Sequence, residues 1–216
     1  MAIKNIVFDV GKVLVYFEPE WIMKKLGFSE ETQAVLRKAM FEDPLWNEVD
    51  RGVMTTEELV AAFTKNAPAY ADEIRATYLH VGDSIELLPH AVEWTASLKE
   101  RGYHLYIISN YGEYTLEQTK AKMDFLKYMD GAIFSYQYQI IKPDARIYEQ
   151  LLKNYDLKAE ECVFIDDKAE NVEGAKAVGY QGLVFIDYEA VKEQLEEILR
   201  GGNLDDSIHC DRADFI

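Results

Sequence analysis

The chain has 216 residues, 49% of them hydrophobic, enough to bury the core of one large domain and too many for a disordered or fibrous protein. Its formal net charge is −16, with 39 acidic against 23 basic residues. So acidic a surface repels a polyphosphate backbone, which argues against a nucleic-acid partner. Taken in chain order, residues 3–10 read as a buried strand rich in Ile, Val and Phe that stops at Gly11. Residues 18–87 break that pattern and read as consecutive helices without a strand, at 21–26, 30–41, 56–66 and 71–84. Alternation then resumes. A helix over 91–101 ends at Gly102, and strands at 105–108, 132–134, 163–165 and 183–186 alternate with helices over 145–154, 169–178 and 189–200.

Strands alternating with helices of this length predict an α/β fold, a Rossmann-like parallel sheet with helices on both faces. The organisation expected is an α/β core over 1–17 and 88–200, a helical cap over 18–87 inserted after the first strand, and a polar tail over 201–216. Cys162 lies in the apolar run Cys162-Val163-Phe164-Ile165 and Cys210 in the tail, so neither suggests a disulfide framework or a zinc site. Asp9 and Lys12 interrupt the N-terminal apolar run, which lacks the marks of a signal peptide, and no stretch approaches the ~20 apolar residues of a spanning helix. A soluble, cytoplasmic protein without a membrane partner is expected.

In an open parallel sheet, ligands bind beyond the carboxyl ends of the strands. Four of the five predicted strands lead into chemistry-bearing residues: Asp9, Ser109-Asn110, Lys142-Pro143-Asp144 and Asp166-Asp167. Each has an ordinary structural reading: turn chemistry for Ser109-Asn110, a surface lysine for Lys142, a helix cap for Asp167. Their convergence on one sheet edge is what points to a site.

These residues resemble the haloacid dehalogenase superfamily. Phe8-Asp9-Val10-Gly11-Lys12-Val13-Leu14 is similar to its first motif and Ile107-Ile108-Ser109-Asn110 to its second. Lys142-Pro143-Asp144 is similar to the third, and Phe164-Ile165-Asp166-Asp167 with Asn171 to the fourth. The stretch from Pro44-Leu45-Trp46 through Asp50-Arg51-Gly52 to Thr55-Thr56-Glu57-Glu58 resembles the small helical cap of its sugar-phosphate phosphatase branch. The resemblance implies a Mg2+-dependent phosphatase acting on a small phosphorylated metabolite, such as a hexose 1-phosphate, through an aspartyl-phosphate on Asp9. It implies Asp9, the Gly11 carbonyl and Asp167 as metal ligands, with Asp166 behind them holding a metal-bound water. It also implies Lys142, Ser109 and Asn110 on the phosphoryl oxygens. Such roles suit the chemistry, because a carboxylate attacking a phosphate dianion needs cations to offset like-charge repulsion.

The departure is Gly11. In most phosphatases of this superfamily an aspartate two residues after the nucleophile protonates the leaving alkoxide, and its loss costs roughly 10²–10⁴-fold on a poor leaving group. Three readings follow: a substrate with a good leaving group such as an anomeric phosphate, a donor elsewhere (Lys12, Glu18 or Glu20), or lost catalysis. Lys12 and Arg51 are the further residues expected to face leaving group or substrate, and Trp21, Trp46 and Tyr16 are candidates for an apolar wall. The competing functions are a 2-haloacid dehalogenase, which needs no metal and leaves the Asp166-Asp167 pair unexplained, and a non-catalytic phosphate binder. The sequence leaves oligomeric state open.

Overall fold

The computed structural model describes residues 2–201. The tail expected over 201–216, including Cys210, therefore lies almost wholly outside the described residues. In chain order the elements are β1 (Asn5–Phe8), β2 (Val15–Phe17), α1 (Pro19–Lys25), α2 (Glu30–Leu36) running into a π-helical turn over Arg37–Phe41, α3 (Trp46–Arg51), α4 (Thr56–Asn66), α5 (Ala71–Leu79) and β3 (Ile85–Leu87). Then follow α6 (Ala91–Glu100), β4 (His104–Ser109), α7 (Glu113–Thr119), β5 (Gly131–Phe134), α8 (Ala145–Tyr155), β6 (Cys162–Asp166), α9 (Ala169–Ala177), β7 (Gln181–Val184) and α10 (Tyr188–Leu199).

Five strands form a parallel sheet in the order β5-β4-β1-β6-β7. The central strands are apolar throughout because both faces of the sheet are covered, and alternate residues divide between two cores. Ile6, Phe8, Leu105, Ile107, Val163 and Ile165 pack with Trp94 and Leu98 of α6 and Val191 and Leu195 of α10. Val7, Tyr106, Ile108 and Phe164 pack with Ile147, Tyr148 and Leu151 of α8 and Ala175 of α9. This is the doubly covered α/β sheet that the strand–helix alternation predicts.

The helical segment between β2 and β3 has a third core, built around Met23, Leu36, Met40, Leu59, Phe63, Ile74 and Tyr78. Here the structure corrects the sequence reading in three places. The stretch is not free of strands: β3 ends it and pairs antiparallel with β2, Tyr16 facing Glu86. The chain thus leaves and re-enters the sheet layer through a two-stranded ribbon too short to show a period of its own. The helix expected over 71–84 stops at Leu79 and gives way to a 3-10 turn at Val81–Ser84. Residues 46–51, read as loop, form α3, which Gly52 ends in the left-handed conformation (φ +66°).

Candidate active site

The central position of β1 decides the site. Phe8 pairs with Ile107 of β4 on one side and Ile165 of β6 on the other, so the ends of three adjacent strands are level. Asp9 follows β1, Ser109 ends β4 and Asp166 ends β6. Lys142 reaches them from the loop after β5, which precedes the cis peptide Lys142–Pro143. The Asn110 side chain staples that loop down: its Oδ1 accepts from the Lys142 N–H (2.7 Å) and its Nδ2 donates to the Lys142 carbonyl (3.3 Å).

Asp9 is 8% exposed. Its Oδ1 accepts from the Ser109 hydroxyl (2.8 Å) and pairs with the Lys142 ammonium (2.8 Å). The same ammonium donates to Asp166 Oδ2 at 2.6 Å. Burial works against the charge of Lys142, but Asp9 and Asp166 outweigh it and hold the ammonium above its ordinary pKa. Burial also pushes the Asp9 carboxyl up, against the pull of Lys142.

Asp166 and Asp167 divide as two different groups. Asp166 is fully buried, and both of its oxygens are engaged: Oδ1 by the Lys168 N–H (2.8 Å) and Asn171 Nδ2 (3.0 Å), Oδ2 by Lys142 and Asn171 (3.0 Å). These contacts make Asp166 an anchor of Lys142 set behind the cavity. Asp167 instead lines the cavity, and burial followed by the nearby charges of Asp9 and Asp166 pushes its carboxyl up to about 6.

Asp9, Asp166 and Asp167 each place one carboxylate oxygen within 4.8 Å of the others, with one buried ammonium among them. With Asp166 committed to Lys142, the clustered Asp9 and Asp167 carboxylates form a donor set that fits a hard divalent cation, because three carboxylates face a single ammonium.

A cavity of about 500 Å³ opens over Asp9. It is lined from the sheet side by Gly11, Lys12, Ser109, Asn110, Lys142 and Asp167. From the helical segment it is lined by Phe41, Asp43, Trp46, Asn47 and Asp50, with Phe17 between the two. Phe41 and Trp46 pack ring on ring at 4.6 Å. Trp46 thus joins the expected wall, whereas Tyr16 lines a separate open groove beside Ile186 and Tyr188, and Trp21 packs edge-on to Tyr16.

The expected leaving-group residues separate in the same way. Lys12 lines the cavity, in the left-handed conformation (φ 59°) that closes the Val10–Val15 turn. Glu18 lines the open groove instead. Glu20 is paired with Arg37. Arg51 does not reach the cavity: it ends α3 and pairs with Glu48 at 2.5 Å. Three carboxyls not expected at the site do line it, Glu42, Asp43 and Asp50. A six-residue helix is too short to declare its faces, so nothing in the pattern singled Asp50 out.

A protein-family model for haloacid dehalogenase-like hydrolases matches residues 3–179. The chain belongs to this family. Among relatives, a sesquiterpene phosphatase of Aspergillus oryzae is 26% identical over 198 residues, covering 91% of this chain and 96% of its own. A D-ribitol-5-phosphate phosphatase of Bacteroides thetaiotaomicron is 22% identical over 190 residues, covering 83% and 90%. Haloacid dehalogenases also stand among the matches. A family enzyme of Bacteroides thetaiotaomicron, solved in complex with magnesium and inorganic phosphate, superposes with a TM-score of 0.67 at 20% identity over 88% of this chain and 99% of its own. That likeness shows the fold.

Proposed function

We propose that this hydrolase is a magnesium-dependent phosphatase that cleaves a small phosphomonoester through an aspartyl-phosphate on Asp9. One observation carries the reading: the buried Asp9 carboxylate lies within 2.8 Å of both Ser109 and Lys142, at the floor of a cavity that Asp167 also lines. Those are the groups an in-line attack on phosphorus requires, a nucleophile flanked by donors where charge builds and by a cation site.

In this reading Asp9 attacks phosphorus. Ser109 and the Asn110 N–H, which has no acceptor among the described residues, donate to the phosphoryl oxygens. Lys142, held by Asp166, keeps its charge between the nucleophile and the phosphoryl group. Asp9, Asp167 and the Gly11 carbonyl would hold magnesium, which supplies charge neutralisation for the dianion. The helical segment 18–87 acts as the cap that covers the site and selects the substrate. The rival dehalogenation at carbon needs no cation, and the cavity-facing Asp167 would then place an uncompensated carboxylate beside the nucleophile.

For the alcohol portion, the Trp46 ring together with the acceptors Asp43, Asn47 and Asp50 suits a hydroxylated ring, so a sugar phosphate is the first reading. The continuous aromatic surface of Phe17, Phe41 and Trp46 favours an apolar alcohol as the second, and a relative named for a sesquiterpene substrate points the same way. Phosphate release with magnesium is to be measured on hexose 1-phosphates, terminal sugar phosphates, a prenyl phosphate and an aryl phosphate. Turnover that needs magnesium and vanishes in Asp9→Asn is expected. Equal release by the Asp9→Asn protein would overturn the reading.

A further inference from the structure

We infer that Asp50, delivered by the helical segment, is the general acid and base that the Gly11 position lacks. The inference rests on the phosphatase reading and supplies its missing proton. It stands first on placement. Asp50 lines the same cavity as Asp9, Ser109, Lys142 and Asp167, but it comes from the helical segment rather than from the sheet edge that carries the nucleophile. Its carboxyl forms no hydrogen bond or ion pair among the described residues, whereas neighbouring charged groups are spoken for: Glu48 by Arg51, Glu20 by Arg37, Asp166 by Lys142. The other acids lining the cavity from this segment, Glu42 and Asp43, differ from it. Glu42 is exposed, and Asp43 Oδ1 accepts from the Leu45 N–H at 2.8 Å at the start of α3.

The backbone of Asp50 is fixed to the sheet side. Its carbonyl accepts from the Ser135 hydroxyl at 2.5 Å, and that hydroxyl in turn accepts from the Tyr111 N–H at 2.8 Å, two residues after Ser109. On either side of it, Val49 and Gly52 press so closely on the sheet-side loops that side chains are barely accommodated. A Cβ at Gly112 would meet the Val49 carbonyl at 2.5 Å, and one at Gly52 would meet the Tyr136 Cβ at 2.7 Å. A residue meant only to decorate the cap needs no such seat.

The environment suits the task. Burial, opposed by Lys168 and Lys142 and reinforced by Asp9, pushes the Asp50 carboxyl up to about 7, where both protonation states are populated near neutrality. Tyr78 and Tyr111 also feel its charge, and neither forms a hydrogen bond to it.

The step balances. As Asp9 forms its bond to phosphorus, the bond from phosphorus to the ester oxygen breaks, and that oxygen takes the Asp50 proton to leave as the alcohol. The Asp50 carboxylate then takes a proton from the water that attacks the aspartyl-phosphate. The bond between Asp9 and phosphorus breaks, inorganic phosphate leaves, and Asp9 and Asp50 return to their starting states.

The test is Asp50→Asn in the full chain with magnesium, on an alkyl phosphate and on p-nitrophenyl phosphate, with circular dichroism confirming the fold. Turnover of the alkyl ester should fall by about 10²–10⁴-fold. The aryl ester, whose leaving group needs no proton, should give a burst of p-nitrophenol near one equivalent per enzyme and then slow turnover, as phosphate accumulates on Asp9. Gly11→Asp placed in the Asp50→Asn protein should restore alkyl turnover, since a Cβ at Gly11 meets nothing within 4 Å. An Asp50→Asn protein that turns over both esters within threefold of the parent, or loses both equally without a burst, overturns the inference and leaves the phosphatase reading standing. A parent protein that releases phosphate from neither ester and labels no Asp9 overturns both.

Discussion

Lys142 is the residue on which the electrostatics of the site turn. It is 3% exposed and stands between two carboxylates, Asp9 at 2.8 Å and Asp166 at 2.6 Å. Breaking a buried ionic group by deleting one member costs about 3–5 kcal/mol, because the charges left behind have no compensation. Lys142→Met should therefore lower the unfolding free energy obtained from urea titration by about 3–5 kcal/mol and abolish phosphate release. Adding Asp166→Asn removes one of the stranded charges, so the double variant should regain part of the stability and none of the activity. A double variant no more stable than Lys142→Met in urea titrations would show that Asp166 is not the partner that matters.

Elements matter where α3 meets the loops after β4 and β5. Gly112 admits the Val49 carbonyl only because it has no side chain. Gly112→Ala places a carbon 2.5 Å from that oxygen, and overpacking of this kind costs roughly 1–3 kcal/mol. Since α3 carries both Trp46 and Asp50 into the cavity, the displacement should lower turnover of an alkyl phosphate more than the loss of stability accounts for. Thermal unfolding and steady-state kinetics on the one variant check this together; unaltered turnover in a destabilised protein would mean that α3 moves without carrying the site.

Over the whole molecule, the hydrophobic cores lie on the two faces of the sheet and inside the helical segment, while the carboxylates converge at the strand ends. Folding therefore rests on apolar burial, and in the proposed mechanism the cation would serve the chemistry and not the fold. Removing magnesium with a chelator should stop phosphate release at once and leave the far-ultraviolet circular dichroism unchanged. Readdition of magnesium should restore the rate, and a chelated protein that loses its helical signal would assign the ion a structural role. No helix among the described residues is long and apolar enough to cross a membrane.

Much of this was legible in one dimension. The five core strands, their order of motifs and the convergence of Asp9, Ser109, Lys142 and Asp166-Asp167 on one sheet edge were readable because strands buried on both faces are written as continuous apolar runs, and what ends such a run stands out. The helix expected over 56–66 is α4, and its start is fixed by a capping box of Thr55 with Glu58. Other decisions waited for tertiary structure. The β2–β3 ribbon joins residues some seventy positions apart through three-residue strands, too short for alternation to register. Glu20 was withdrawn from the site by Arg37, a partner on another helix, and Arg51 by Glu48 at the i,i+3 spacing that counts only once residues 46–51 are helical. Asp50 was brought to it by a two-turn helix whose seat against Gly112 and Ser135 exists only in three dimensions. A sequence records which groups a chain owns and the period on which it places them; which carboxylate is paired and which is left facing the cavity is settled by packing between segments distant along the chain.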